Sequence, residues 1–520
     1  MAKSIWPKAS SVRVARALKG HGAVGLAVGA LIYILSITGV LSVFNHELQR
    51  WEQPGAPELA AIAPEAAARA VAAVLADEPS PTSHLFVHLP TPDLPRVIVS
   101  TDTRAVFVDG DGALAGPEAH PWTQFVLDLH YYLTLPSTAG LIVVGALGVM
   151  LLALALSGFM AHPRIFRDAF TFRKGAGRLT TADLHNRLAV WTAPFHVSSA
   201  LTGAMLGLAT ILGFAIAAQH YDGDVEAVFE PIFGAEPAAD DRPAPLAEIA
   251  TPLRAMAADH AGVIPNYLIV HEPGTAGQHV TVLALHGRRL IFGEYYNFDA
   301  AGRFTGTTGL ADGTIGQQIA ASTYQVHFGS YGGLPVKLAY LVFGVALSVI
   351  VASGVSLYLT RRRAQGHAAP RLEGAWAGVV WGAPAALALA LLASVVGGLE
   401  GGGLVALFWT ALAMAVAAGL TLGDRAAVAR ALREGGGCVL AAAVVAHAAV
   451  WWTAFDSPVA PVLSGALAIV AALALWRPIG WCAAGAARAV RAVRAVAAVR
   501  PGRDDKAVGV LTPPGNRQRP

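Results

Sequence analysis

Four histidines recur in the same company. His21 stands 17 residues before Thr38-Gly39, and His185 stands 17 residues before Thr202-Gly203. His130 stands 27 residues before Ser157-Gly158, and His327 stands 26 before Ser353-Gly354. All four segments run into or through long apolar stretches. Ionisable residues inside spans are costly and usually functional. A duplicated unit with one histidine near each membrane face implies two pairs, His21 with His185 and His130 with His327. Imidazole is an axial ligand of haem iron, and two axial imidazoles leave no open position for oxygen, which suits electron transfer. Each pair would therefore hold one non-covalent b-type haem. A lone interfacial histidine with a hydrogen-bond partner is the plainer reading of any one of them; four in matched repeat positions favour ligation. Zinc takes three or four ligands from close Cys/His/Asp sets, and these pairs lack such company.

Other residues compete for roles. His196 follows His185 by 11 residues, about 16 Å along a helix, and its counterpart in the first unit is Ile32. It is read as a packed, hydrogen-bonded side chain, with a third ligand as the alternative. His162, beside Pro163, and His46 and His220 at span ends have no matched spacing and are read as surface residues. Arg187 and Lys337 lie near the paired histidines. Either could neutralise a haem propionate or be a snorkelling interfacial cation.

The elements that position these residues must be membrane helices. The chain has 520 residues, 55% hydrophobic and 14% charged, which excludes an ordinary soluble globular protein. A bilayer core of about 30 Å needs about 20 apolar residues per helix. Uncharged runs at 22–44, 138–161, 190–218, 338–360, 376–399, 402–423, 437–455 and 459–476 give eight candidate spans. The last two are short enough for a re-entrant pair around Asp456-Ser457-Pro458. With both termini inside, the inside segments hold 27 of the 37 basic residues, whereas 45–132 has 4 basic and 12 acidic, as the positive-inside rule requires. The net charge of +3 thus reflects topology, and no nucleic-acid-binding pattern is present. Cys438 and Cys482 are the two cysteines, so there is no C-x-x-C-H for covalent haem.

The expected organisation is an N-terminal tail and first span (1–44), an outer insert (45–136), two spans around an inside loop (137–218), a second outer insert (219–334), a fourth span (335–363), an accessory bundle (376–476) and a basic tail (477–520). The tail places Arg488, Arg491 and Arg494 on one helical face, against the inner leaflet or as a simple anchor. Each insert reads as a helix (Pro64–Leu75; Leu246–His260) followed by strands (Arg96–Ser100 and Ala105–Val108; Tyr267–Val270, Val280–Leu283 and Leu290–Phe298). Each ends in a D-x-x-G-x-x-x-G hairpin, at Asp109, Gly112 and Gly116 and at Asp299, Gly302 and Gly306. Repeats of the same topology are related by a pseudo-two-fold axis along the membrane normal, which sets the paired histidines across that axis.

The pieces Gly20-His21-Gly22…Ile37-Thr38-Gly39, Leu129-His130-Tyr131…Leu156-Ser157-Gly158, Asp183-Leu184-His185-Asn186-Arg187…Leu201-Thr202-Gly203 and Val326-His327-Phe328-Gly329…Gly332-Gly333 resemble the PepSY-associated transmembrane family over about residues 10–365. The resemblance implies a polytopic α-helical bacterial inner-membrane protein. It would have a pseudo-symmetric four-helix haem-binding core, two α+β PepSY-like periplasmic domains and, beyond the family's minimal four spans, a C-terminal accessory helix bundle. It also implies a haem-dependent oxidoreductase that reduces a ferric siderophore or other Fe(III) chelate.

No H-E-x-x-H, Walker A or dinucleotide fingerprint occurs, and the longest inside loop is shorter than one βαβ unit. Electrons must then come from an external donor, a quinol or a reductase. The rival class is a non-enzymatic anchor, binding or transport-accessory protein working through its PepSY-like domains.

Overall fold

In a computed structural model the described residues are 10–161, 170, 178–234, 240–454 and 457–476. His162, Cys482, the Asp456 turn and the arginine-bearing tail lie outside them.

The first repeat unit comprises α1 (Ser11–Ser42), α2 (Asn45–Glu52), α3 (Pro64–Ala76), β1 (His84–His88), β2 (Val97–Ser100), β3 (Ala105–Val108), β4 (Leu114–Pro117), α4 (Pro121–Tyr132) and α5 (Ser137–Ala161). The second repeats the order with α6 (Arg178–Trp191), α7 (Ala193–His220), α8 (Glu226–Phe233), α9 (Ala250–Asp259), β5 (Ile264–His271), β6 (His279–Leu285), β7 (Glu294–Phe298), β8 (Phe304–Thr307), α10 (Ile315–Phe328) and α11 (Gly333–Ala364). The accessory helices are α12 (Pro370–Gly397), α13 (Gly401–Leu422), α14 (Arg425–Val450) and α15 (Val459–Leu475).

Six described helices are long and apolar enough to cross a membrane: α1, α5, α7, α11, α12 and α13. This makes the chain a multi-pass membrane protein and reduces the eight expected spans. The seventh run begins in a helix whose first turns carry Arg425, Arg430 and Arg433, and the eighth forms only the 17-residue α15. The third span, α7, covers nearly the same residues as its apolar run. Helix α6, which bears His185, leads into α7 after a single non-helical residue, Thr192, with Pro194 in the first turn.

The two inserts are not separate layers. Their strands form one antiparallel eight-stranded sheet of order β4-β3-β2-β1-β5-β6-β7-β8. Each insert supplies a four-stranded meander, and the seam is β1 against β5, with Val87 opposite Leu268 and His84 opposite His271. Pairing β1 with β5 removes two open edges that would otherwise expose unpaired backbone groups. Period-two alternation sends Leu85, Val87, Leu268, Val270, Val280 and Val282 to one face, under Ala70, Val74, Leu253 and Met256 of α3 and α9. The hairpins end as expected, with Gly112 and Gly302 at positive φ.

The accessory bundle closes tightly through small residues. A Cβ on Gly378 would stand 2.5 Å from the Ala415 carbonyl oxygen, so α12 and α13 approach backbone to backbone. The bundle is hydrogen-bonded to the first repeat by Tyr33 Oη to the Val380 carbonyl (2.9 Å), Trp122 Nε1 to the Leu387 carbonyl (3.2 Å) and Trp409 Nε1 to Thr134 Oγ1 (2.9 Å).

Candidate functional site

The four matched histidines meet in the expected two pairs. His130 and His327 end the short helices α4 and α10 and face each other at the sheet side of the helical core, with ring centroids 6.2 Å apart and planes at 28°. His21 and His185 meet near the opposite end, with centroids 6.4 Å apart and planes at 79°. About 25 Å of α1, at 1.5 Å per residue, separates the two levels.

Each ring is gripped by a Ser/Thr-Gly pair of its own repeat, in a crossed pattern. His21 Nδ1 lies 3.0 Å from the Leu154 carbonyl and 3.2 Å from Ser157 Oγ. His185 Nδ1 has the Ile350 carbonyl at 2.9 Å and Ser353 Oγ at 3.2 Å. His130 Nδ1 has the Leu35 carbonyl at 3.1 Å and Thr38 Oγ1 at 3.3 Å. His327 Nδ1 lies 3.0 Å from Thr202 Oγ1. A carbonyl oxygen can only accept, so Nδ1 carries the proton in the first three, and Nε2 keeps the lone pair a metal needs. The glycines make room: a Cβ on Gly39 or Gly203 would stand 2.8 Å from Cε1 of His130 or His327.

The spacing tests the fit of a haem. A haem held by two imidazoles would need a narrow slot between them, and both pairs leave such a gap, with ring centroids 6.2 and 6.4 Å apart. Beside His130 and His327 lies an apolar cavity of about 300 Å³, lined by Ile32, Leu35, Val144, Leu206 and Tyr324. A second cavity, of about 80 Å³, opens on the same two rings between Val43, Phe195 and Tyr340. An apolar slot lined by two imidazoles fits a macrocycle that His130 and His327 would hold. No group of three or more His, Cys, Asp or Glu side chains among the described residues converges as a metal site.

The remaining candidates separate. His196 is buried on α7 between the two levels and lies 3.4 Å from Thr192 Oγ1. Arg187 is buried 3.7 Å from Asp183, and Lys337 is 4% exposed between Glu47 (2.7 Å) and Asp93 (3.2 Å). Both cations therefore have carboxylate partners within the chain. His220 is exposed. His46 is half-buried, and partial removal from solvent, followed by Lys337 and His88, lowers its pKa to about 4.

His46 belongs to a polar hub that the sequence reading missed. It sits on α2, close enough to Lys337, His88, Asp93 and Arg50 to interact with their charges. Arg96, 1% exposed, donates to the Gln53 carbonyl at 2.7 Å. His88 Nδ1 is 3.1 Å from the Arg96 carbonyl, and Arg50 forks onto Glu58. His46, Arg50 and Glu58 recur at no matched spacing, so the repeat pattern carried no sign of this hub.

Comparison with known proteins agrees with this architecture. An uncharacterised protein of Pseudomonas aeruginosa is 30% identical over 364 residues, which cover 64% of this chain and 88% of the relative. The family model described as the PepSY-associated TM region matches residues 18–361, the span that contains both histidine pairs, and the chain accordingly belongs to the PepSY-associated transmembrane family.

Proposed function

We propose that this protein is a di-haem electron carrier that delivers electrons across the bacterial inner membrane to a chelated Fe(III), such as a ferric siderophore, on its outer side. The observation that carries the reading is the 6.2 and 6.4 Å separation of the two imidazole pairs. His21 and His185 would hold the haem nearer the inside, and His130 and His327 the one under the sheet. When bound, the haems supply reversible one-electron chemistry at a potential set by ligands and surroundings.

The chain's own contribution is orientation and exclusion. Leu154, Ile350 and Leu35 carbonyls fix the ligand tautomer. Such partners hold a ligating ring in place and raise its basicity. The apolar walls around the sheet-side pair exclude water and lower the local dielectric. One electron converts the ferric ion to ferrous, and hard oxygen ligands bind the less charged ion more weakly, so the chelate opens. The donor is external, a quinol or a separate reductase.

The test is optical. Full-length protein purified after expression with ample haem should show a Soret band and two haems per chain. His327→Ala should lose one haem and keep the other, and the reduced protein should be reoxidised by a ferric chelate with ferrous iron trapped. A protein without a Soret band would leave only the binding or anchoring role of the outer sheet.

A further inference from the structure

The two short helices that carry the sheet-side histidines are covered unequally. The first turns of α4 pack under the accessory bundle: Trp122 donates to the Leu387 carbonyl, and the Phe125 ring lies 5.6 Å from that of Phe408. Counted back from the paired histidines, Trp122 corresponds to Ile319 and Leu127 to Tyr324. Trp122 and Leu127 are buried, whereas Ile319 and Tyr324 are exposed. The approach to the histidine pair along α4 is thus closed, and the one along α10 is open.

Three phenols gather on the open side. Tyr131 and Tyr324 line the larger cavity beside His130 and His327. Both rings contact Phe328, with centroids 5.7 and 4.3 Å away. Tyr267 of β5 points away from the α3/α9 core, since its neighbour Leu268 points into it. It comes close enough to Tyr324 to feel its charge, as Tyr131 does. Tyr324 therefore stands between the cavity wall and the underside of the sheet. None of the three hydroxyls is hydrogen-bonded among the described residues. The fixed charges that act on them are carboxylates, Asp128 on Tyr131 and Glu118 on Tyr267. The cations of this level are engaged elsewhere. Arg96 acts on Glu118 but is shared with Glu58, and Lys337 lies between Glu47 and Asp93.

We propose that the gap framed by Tyr131, Tyr267 and Tyr324 docks the Fe(III) chelate, and that it takes chelates carrying no net negative charge. This rests on the electron-transfer reading and gives its substrate a place, beside the outer histidine pair. A phenol is an apolar body with a polar tip: its ring packs on the organic arms of a chelate, and its hydroxyl donates to the oxygens around the iron. The two carboxylates repel an anionic chelate, because like charges at an interface suppress the wrong partner. One electron passes from the reduced haem iron, which becomes ferric, to the chelated Fe(III), which becomes Fe(II). The phenols keep their protons and serve only to hold the chelate.

Ga(III) chelates are the probe, because Ga(III) matches the charge and size of Fe(III) but is not reduced, so binding is read apart from electron transfer. In equilibrium dialysis, haem-loaded full-length protein should bind a cationic Ga(III) trihydroxamate saturably and an anionic Ga(III) tricatecholate on the order of tenfold more weakly. Tyr267→Phe and Tyr324→Phe should each weaken trihydroxamate binding by about two- to tenfold, the contribution of one hydrogen bond. They should raise KM for the Fe(III) trihydroxamate and leave kcat, the Soret band and haem content unchanged. Asp128→Asn should narrow the difference between the two chelates. Equal wild-type affinity for both chelates, or unchanged trihydroxamate affinity in both tyrosine variants, overturns the proposal. Haem loss in those variants with chelate affinity intact would assign the phenols to the haem and overturn it as well. Chelate binding with the expected sensitivities in a protein that lacks a Soret band would instead remove the electron-transfer reading and leave a chelate-binding site.

Discussion

Ser157 Oγ lies 3.2 Å from Nδ1 of His21, although 136 residues separate them. Ser353 stands at the same 3.2 Å from His185. Both histidines of the far pair are thus held by Ser-Gly, and both of the sheet-side pair by Thr-Gly. Removing a hydroxyl leaves the backbone carbonyl in place, so the ligand keeps its tautomer and loses one acceptor. A hydrogen bond contributes about 0.5–1.5 kcal/mol, equivalent to a few tens of mV for one electron. Ser353→Ala is expected to retain both haems and shift one midpoint potential by that amount, read by spectroelectrochemical titration. An unchanged pair of potentials would show that the hydroxyl does not act on the ligand.

The glycines in these motifs set a graded test. A Cβ at Gly39 or Gly203 would come within 2.8 Å of a ligand ring, whereas at Gly158 the nearest ring atom is 3.4 Å away. Gly203→Ala and Gly39→Ala should therefore displace His327 or His130 and cost the sheet-side haem. Gly158→Ala should leave the far haem bound. Haem-to-protein ratios from pyridine haemochrome spectra decide it, and equal losses in all three variants would contradict the crowding argument.

The two pairs differ in the angle between their rings, 79° for His21/His185 and 28° for His130/His327. Near-parallel imidazoles split the iron d orbitals that accept their π density, and perpendicular ones leave them almost degenerate. The oxidised protein should then give two low-spin EPR signals, one rhombic and one strongly anisotropic with a large highest g value. His327→Ala should abolish the rhombic signal and His185→Ala the anisotropic one. Two rhombic signals would mean that the far pair does not keep its crossed geometry.

Much of this was legible from spacing alone because duplication makes the histidines recur at matched positions. The pairings His21 with His185 and His130 with His327, and the hairpins at Gly112 and Gly302, could be read in that way. What spacing could not reveal was which Ser/Thr-Gly serves which ring. Thr38-Gly39 follows His21 in sequence but grips His130, since α4 folds back onto α1. Nor could it reveal the β1–β5 seam, an edge-to-edge pairing between segments about 180 residues apart. The burial of Lys337 was likewise invisible, because its hub partners Glu47 and Asp93 recur at no matched spacing in the second repeat.

Acid should loosen that hub. His46 lies outside the spanning helices, and burial lowers its pKa from 6.5 to about 4. It is therefore neutral in the native state at pH 5–6, where the unfolded chain binds more protons. Stability then rises with pH across the interval between the two values and falls as pH drops from about 6.5 toward 4. Hydrogen exchange of the α2 amides should accelerate over that range in the wild type. His46→Gln should flatten the dependence, and an equally steep profile in that variant would assign the effect to another group.

The accessory bundle bears on the sheet-side ligand through strain. Leu133 and Thr134, three and four residues after His130, both adopt left-handed backbone conformations at φ 51° and 58°. In the second repeat a glycine, Gly329 at φ 66°, ends the equivalent helix. Non-glycine residues in that region cost about 1–3 kcal/mol each and persist only where surrounding structure holds them. Here Trp409 of α13 donates to Thr134 Oγ1 at 2.9 Å, so a helix beyond the duplicated core props the turn that presents His130. Trp409→Phe should weaken retention of the sheet-side haem in a dialysis or competition assay while leaving the far haem untouched. Leu133→Gly, which relieves the backbone, should restore part of the loss. If deletion of residues 370–520 leaves a folded protein with both haems held as tightly as in the full chain, the bundle has no part in presenting that ligand.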